Sequence, residues 1–359
     1  MARVIFHAGM AKAGSTTVQQ WIGAHADYLR AELGIETVVL RRNEVSGGPG
    51  VLTRYDDGEV NSGWFLYRYE LKERDPSVLD EIFDPLSTLA TSCPGLLISA
   101  ESFGRLLAER DEAFISRLEA LTTTNEVRVV YYVRPQHSSI EAAWRQWGFR
   151  LPASPSTYVD ERSQLLDYFT TRRDLKMSAP HVSFEPRLVH PDFLGPTGIV
   201  GDFVRTFLGV EDDSIPADDV RANPGLPLEL VNLLRSAPEG MFWSSTADNA
   251  RLRRLKCLYE SFDPPTSTRI RRSRQILQHY CRQRFEAHNA MLIDELGWAV
   301  DHIVPPVQDP AFEGGDIEEL DELWAPDASP AERDLLFIAL CAVCDRRNRS
   351  SGSGGESAV

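Results

Sequence analysis

Cysteine is scarce in this chain. Its 359 residues hold five, Cys93, Cys257, Cys281, Cys341 and Cys344, odd in number and scattered. That distribution argues against a disulfide framework and fits a reducing compartment. Cys341 and Cys344 share the two-residue gap of redox and zinc motifs, yet they lie in an apolar segment with no second ligand pair, which reads as buried packing. Long hydrophobic runs are missing too. The longest, "LLFIALCAVC" at 335–344, is too short to span a bilayer, and the start "MARVIFHAGMAKAG" has no apolar h-region or small-residue cleavage site. The expectation is a cytoplasmic protein with no transmembrane segment, with peripheral contact at a membrane surface still compatible. Basic charge is in deficit: 38 Lys and Arg stand against 53 Asp and Glu, a net charge of -15. A general nucleic-acid binder is disfavoured, because the phosphate backbone would repel it. No internal repeat is present, which argues against a solenoid.

What the chain does have is alternation of strand-like and helical segments. A strand at 3–8 leads through "GMAKAGSTT" (9–17) into a helix from Ser15 to Leu33 and a strand "IETVVL" at 35–40. Val18, Trp21, Ile22, His25, Leu29 and Leu33 recur at helical spacing on one face. A helix at 77–91, a buried strand "GLLISAES" (95–102) ending in Glu101, a helix to Leu121 and the strand "EVRVVYYVR" (126–134) follow. Strands separated by helices predict an α/β fold with a doubly wound, mainly parallel sheet and flanking helices. Beyond 151 the pattern is mostly helical, with one strand at 181–186 and helices at 197–208, 227–236 and 267–296. The organisation predicted is one α/β domain over 1–300 with a helical C-terminal portion and a glycine-rich insertion at 43–75. An acidic extension ending in a helix (301–349) and a disordered tail (350–359) complete it.

The loop "GMAKAGSTT" holds two glycines five apart, Gly9 and Gly14, between a strand and a helix. That is the frame of a Walker loop, G-x-x-x-x-G-K-[ST], in which the lysine reaches the β and γ phosphates and the hydroxyl holds magnesium. Here Ser15 stands where the lysine belongs, and Lys12 sits at the loop's apex instead. Backbone N–H groups of residues 10–17 and the hydroxyls of Ser15, Thr16 and Thr17 can cradle a phosphate at the helix N-terminus, while Lys12 reaches an oxyanion at the end of a short 5′ group. No Walker B aspartate is evident, since "VRVVYYVR" ends in arginine. A loop without the metal apparatus suits a nucleotide lacking a γ-phosphate, and no metal ligands are predicted.

The stretch "IFHAGMAKAGSTTVQQ" resembles the 5′-phosphosulfate loop of sulfotransferases that use 3′-phosphoadenosine 5′-phosphosulfate (PAPS), particularly bacterial members with a His-x-Gly-Met-x-Lys-x-Gly-Ser/Thr-Thr pattern. The resemblance implies a P-loop-like sulfotransferase fold over residues 1–300, PAPS as co-substrate with 3′-phosphoadenosine 5′-phosphate as product, and Met10, Ala11, Lys12, Ala13, Gly14, Ser15, Thr16 and Thr17 as its 5′ site. Lys12 matches the lysine that contacts the sulfuryl group. The family's 3′-phosphate element is an arginine after a strand with a serine eight residues on. "YYVRPQHSSIEAAWRQ" (131–146) supplies Arg134 but places Ala142 at the serine position, so Ser138 or Ser139 would have to replace the missing hydroxyl. Weaker similarities run through 184–210, 221–235 (with Asn223 in register) and 288–297.

Sulfuryl transfer needs a base for the acceptor proton and cations for the oxygens of the transferring group. Lys12 fits the cationic role. Glu101, at a strand's carboxyl end where ligands of parallel sheets gather, is the preferred base. His137, at a helix start after Arg134, and His7, within the first strand, compete with it. Residues 251–284 carry ten Lys and Arg against Glu260 and Asp263, a stripe that either faces an anion or balances the acidic C-terminal region (309–334). Trp64, Phe65, Tyr67 and Tyr69 either stack on an acceptor or pack the insertion down. The expected function is in-line sulfuryl transfer from PAPS to a hydroxyl or amine of a carbohydrate, glycolipid or small natural product. The alternatives are a metal-dependent P-loop kinase or NTPase, and a sulfotransferase-like nucleotide-binding protein without activity. Nothing in the residues sets the acceptor or the oligomeric state.

Overall fold

The computed structural model describes residues 1–9, 13–40, 52–54, 69–210, 226–235, 246–261, 267–298, 303, 312 and 314–325. Chain contacts divide it into two units. The first comprises Met1–Ser139, Ser163–Asn223 and Phe285–Pro306, and the second Ile140–Arg162, Pro224–Arg284 and Val307–Val359.

The first unit is built on one sheet. Strand β1 (Ala2–Ala8) is followed by helices α1 (Ser15–Ala24) and α2 (Ala26–Leu33), then by β2 (Ile35–Leu40) and the short β3 (Leu52–Arg54). Helix α3 (Ser77–Ala90) leads to β4 (Gly95–Ala100), helices α4 (Glu101–Ala108) and α5 (Glu112–Leu121) to β5 (Asn125–Val133), and helices α6 (Gln136–Trp147), α7 (Pro155–Gln164) and α8 (Tyr168–Ser178) to β6 (Ser183–Leu188). The order across the sheet is β3-β2-β4-β1-β5-β6. Five strands are parallel, and only β3 at one edge runs against its neighbour. The doubly wound α/β fold expected from the alternation is therefore the fold observed.

Double winding follows from the connections. The chain leaves β1 toward the β2 edge and then returns stepwise toward β6, and right-handed crossovers put those two directions on opposite faces. Side chains of β1 meet both layers. Phe6 lies against Phe83 of α3 and Phe103 of α4, with ring centroids 6.0 and 5.6 Å away. His7, on the other face, meets Phe203 at 5.4 Å. Phe203 closes helix α10 (Gly198–Phe203), which follows the single-turn α9 (Pro191–Leu194) and packs on α1. Strand β4 is buried along its whole length, as a central parallel strand covered on both faces must be.

Several boundaries differ from those the spacing predicts. The helix expected over 15–33 is two helices broken at His25, whose ring stacks on Trp21 at 4.5 Å and whose Nδ1 hydrogen-bonds to the Trp21 carbonyl at 2.9 Å. The backbone N–H of His25 also donates to that carbonyl, at 3.1 Å, while His25 itself leaves helical geometry at φ −116° and ψ 15°. The helix after β4 is likewise divided, by Arg110 at φ 55° and by Asp111, which caps α5 by accepting from the Phe114 N–H at 2.9 Å. Glu101 is the first residue of α4 rather than the last of a strand. Strand β3 falls inside the region read as an insertion. The rest of 43–75, apart from 69–75, lies outside the described residues, as do Asn223, Cys341, Cys344, most of the 301–349 extension and the tail.

The second unit gathers the larger parts of α6 and α7, together with α11 (Leu228–Leu234), α12 (Thr246–Glu260), most of α13 (Thr268–Leu296) and α14 (Glu319–Leu323). Trp144 stacks on Trp324 at 5.1 Å and carries the Arg235 guanidinium 4.8 Å from its ring centroid. Arg272 pairs with Glu319, Arg274 with Glu141, Arg284 with Asp160 and Lys256 with Glu260. Of these four pairs only Arg272–Glu319 reaches the acidic C-terminal region; Glu141, Asp160 and Glu260, which balance the other three, lie elsewhere in the same unit.

Candidate functional site at the carboxyl edge of the sheet

Strands β1 and β4 are neighbours whose outgoing chains turn to opposite faces of the sheet. Such a divergence opens a crevice beyond the carboxyl ends of the strands, which is where ligands of open α/β sheets bind. In this protein that place lies between Gly9, where the chain leaves β1, and Glu101, where it leaves β4. The register sets Ala8 level with Ala100 on one side and with Tyr131 on the other. Arg134 therefore leaves β5 on the same edge, roughly 10 Å further along at strand rise. Loop, carboxylate and arginine, distant in sequence, share one edge of three adjacent strands.

The loop's two glycines have separate reasons. Gly9 continues the ladder, its N–H donating to the Ala100 carbonyl at 3.1 Å. A Cβ there would stand 2.7 Å from Ser15 Cβ, closer than real side chains come, and 3.0 Å from both Cα and Cγ of Glu101. Only glycine lets the strand end pass between these two residues. Gly14 takes the left-handed conformation at φ 83° and precedes α1, and a Cβ on it would meet Ile199 of α10 at 2.8 Å. Its carbonyl accepts from Thr17 N–H at 3.0 Å and starts the helix. A helix begun by glycine has no capping side chain, so the amides of Ser15 and Thr16 have no side-chain cap. Thr16 and Thr17 are half-buried beside them. Ala13 is buried, while Met10, Ala11 and Lys12 lie outside the described residues.

Ser15 is buried and donates its hydroxyl to Glu101 Oε1 at 2.6 Å. This contact joins the two lips of the crevice. The contact itself is not visible along the chain: Glu101, the first residue after β4, comes beside the loop only because β4 is the neighbour of β1.

Below the loop buried side chains tie the strands together. His7 Nδ1 and Ser99 Oγ lie 2.7 Å apart between paired positions of β1 and β4. Burial lowers the His7 pKa to about 3, so the ring is neutral and sealed from any acceptor. It holds strands together and is no base. On the same face Tyr132 donates to Asp202 Oδ2 at 2.8 Å, and Asp202 also accepts from both Nε and Nη2 of Arg187. Burial and the Asp202 charge push the Tyr132 hydroxyl well above its ordinary pKa, and Asp202 raises that of Arg187. This network fixes α10, the helix that backs Gly14.

At the third strand end, Arg134 Nε donates to Ser138 Oγ at 2.6 Å, and the Arg134 carbonyl accepts from Tyr168 at 3.0 Å. Ser138, having accepted there, keeps its own proton to donate. Ser139 is buried in the first turn of α6, and Ala142 follows Ser138 by one turn. The same turn is tied to α13: Gln136 Nε2 donates to Asn289 Oδ1 at 2.8 Å and Asn289 Nδ2 returns a bond at 3.2 Å, both residues being buried. His137 is half-buried on α6, on the Arg134 side of the crevice rather than the Glu101 side. Tyr69 is packed down, its hydroxyl donating to Asp111, with burial raising its pKa to about 12; Trp64, Phe65 and Tyr67 lie outside the described residues.

No protein-family model matches the chain. No curated protein matches it. Among solved structures it is similar to a GTPase from Pyrococcus abyssi in its apo form, at 14% identity and a TM-score of 0.24, over 52% of this chain and 90% of that one. No helix among the described residues is long and apolar enough to cross a membrane.

Proposed function

We propose that this protein is a sulfotransferase that moves the sulfuryl group of PAPS to a hydroxyl or amine of a carbohydrate, glycolipid or small natural product. One observation carries the reading: the hydroxyl-rich glycine loop, Glu101 and the Arg134–Ser138 pair converge on the carboxyl edge of three neighbouring strands. An anion held by the first amides of α1 and an anion held by Arg134 stand at two ends of that edge, as the two phosphate groups of 3′-phosphoadenosine 5′-phosphosulfate require. The residues present fit such a ligand in their chemistry: a helix start without a side-chain cap, the hydroxyls of Thr16 and Thr17, and the Arg134 guanidinium are groups that hold phosphate.

In this reading the amides and hydroxyls at the start of α1 hold the 5′-phosphate. Lys12 supplies positive charge to the transferring group, and Arg134 with Ser138 holds the 3′-phosphate. Glu101 takes the acceptor's proton. It is preferred to His137 because it touches the loop itself through Ser15, on the side where the sulfuryl group sits. As the acceptor oxygen or nitrogen bonds to sulfur, the bond from sulfur to the bridging oxygen breaks and its electron pair leaves with the 5′-phosphate. Transfer of label from PAPS to an acceptor, lost in Lys12→Ala and Glu101→Gln, is the test. Full transfer by Lys12→Ala overturns the role given to that loop.

The Ser15–Glu101 contact also supports a second reading. A loop hydroxyl beside an acid on the adjacent strand is a pair that binds magnesium in P-loop NTPases. Serine at position 15, where their lysine belongs, weighs against it. Magnesium-dependent ATP hydrolysis would favour it.

A further inference from the structure

A serine hydroxyl carries one proton, and Ser15 gives its proton to Glu101. Both residues are held in place for this. Ser15 is 3% exposed at the first position of α1, Glu101 opens α4 on the other lip, and Gly9 passes between them with no room for a methyl group. Glu101 is exposed, so its carboxylate is open to solvent while Oε1 is held by Ser15. An anion seated on Ser15 Oγ would have to take the proton from this carboxylate and lie against its negative charge. The hydroxyls of Thr16 and Thr17, at the same helix end, carry no such conflict among the described contacts.

We propose that Ser15 is the positioning residue of Glu101 and not a ligand of the bound phosphate. By donating to Oε1 it fixes the carboxylate's orientation and leaves Oε2 to receive the acceptor's proton. Ser15 keeps its own proton throughout. The phosphate is held by the α1 amides with Thr16 and Thr17. The identity of the proton donor rests on the sulfotransferase reading, whereas the division of labour between Ser15 and the two threonines does not.

The test uses the full chain and the variants Ser15→Ala, Ser15→Thr, Thr16→Val, Glu101→Gln and Ser15→Ala with Glu101→Gln. Binding of 3′-phosphoadenosine 5′-phosphate and turnover of labelled PAPS are measured for each. Ser15→Ala should change affinity less than about threefold and lower kcat about 10- to 100-fold, with most of the loss restored in Ser15→Thr. The double variant should be no slower than Glu101→Gln alone, as expected of residues acting as one unit. Thr16→Val should weaken binding about tenfold or more. A tenfold loss of affinity in Ser15→Ala, or a kcat loss additive with Glu101→Gln, overturns the assignment. If the wild type transfers nothing from PAPS, the sulfotransferase reading falls and Ser15 is judged separately, by the assigned ¹³C carboxyl signal of Glu101 during titration with inorganic phosphate. A signal displaced in Ser15→Ala but not in Ser15→Thr, with unchanged phosphate affinity, supports the assignment; an undisplaced signal or lost phosphate affinity overturns it.

Discussion

His7 and Ser99 meet at 2.7 Å across β1 and β4, one residue below the point where these strands release the loop and Glu101. Burial depresses the His7 pKa from 6.5 to about 3. The unfolded chain therefore takes up this proton first as pH falls, so the contribution is whole above pH 6.5 and is lost progressively between 6.5 and about 3. Between pH 6.5 and 5 the loss from this one group is about 2 kcal/mol. Urea unfolding at both pH values should show that slope in the wild type and lack it in His7→Gln. Equal slopes in the two proteins would mean that His7 is not held neutral.

The two lips of the crevice are spaced by Gly9. Gly9→Ala places a methyl group against Ser15 and Glu101. It should destabilise the protein by about 1–3 kcal/mol, as overpacking does, and weaken binding of 3′-phosphoadenosine 5′-phosphate about tenfold or more. Thermal unfolding and calorimetry on the same sample separate the two effects. Unchanged affinity would show that the contact between the lips does not shape the anion site.

Asp202 is 2% exposed and serves Tyr132 and Arg187 together. Asp202→Ala leaves the Tyr132 hydroxyl and the part-exposed Arg187 guanidinium without their shared partner and should cost about 2–3 kcal/mol. Tyr132→Phe leaves the ion pair whole and should cost about 1 kcal/mol. Chemical denaturation gives both numbers, and similar losses in the two variants would contradict this ordering.

At the far end of the site, Arg134→Ala should weaken 3′-phosphoadenosine 5′-phosphate about 10- to 100-fold and adenosine 5′-phosphate hardly at all, because only the former carries the 3′ group. Arg134→Lys should rescue little, since lysine lacks the fork that binds Ser138 and a phosphate together. Ser138→Ala should cost about tenfold, and Ala142→Ser should add less than about twofold while Ser138 is present. A large gain from Ala142→Ser would show that Ser138 does not stand in for the hydroxyl expected there.

The strands were legible because buried parallel strands are continuous apolar runs, as "LLISA" and "VVYYV" are. The loop was legible from its glycine spacing and displaced lysine. Strand order was not, because neighbourhood in a sheet is not a local property: Ser15 and Glu101 are 86 residues apart and meet only when β4 inserts beside β1. The break at His25 was hidden for a different reason, since apolar spacing continues across it while one residue leaves helical geometry. Strand β3 is a three-residue edge strand in glycine-rich sequence, too short to leave a period.

The most direct measurement is calorimetry of 3′-phosphoadenosine 5′-phosphate against ATP with magnesium on the full chain. The account predicts that 3′-phosphoadenosine 5′-phosphate binds at least about tenfold more tightly, with no change on adding EDTA, because Arg134 and Ser138 serve its 3′-phosphate and the site needs no metal. Tighter binding of ATP, or binding of either nucleotide only in the presence of magnesium, would contradict it and favour the metal-dependent P-loop reading.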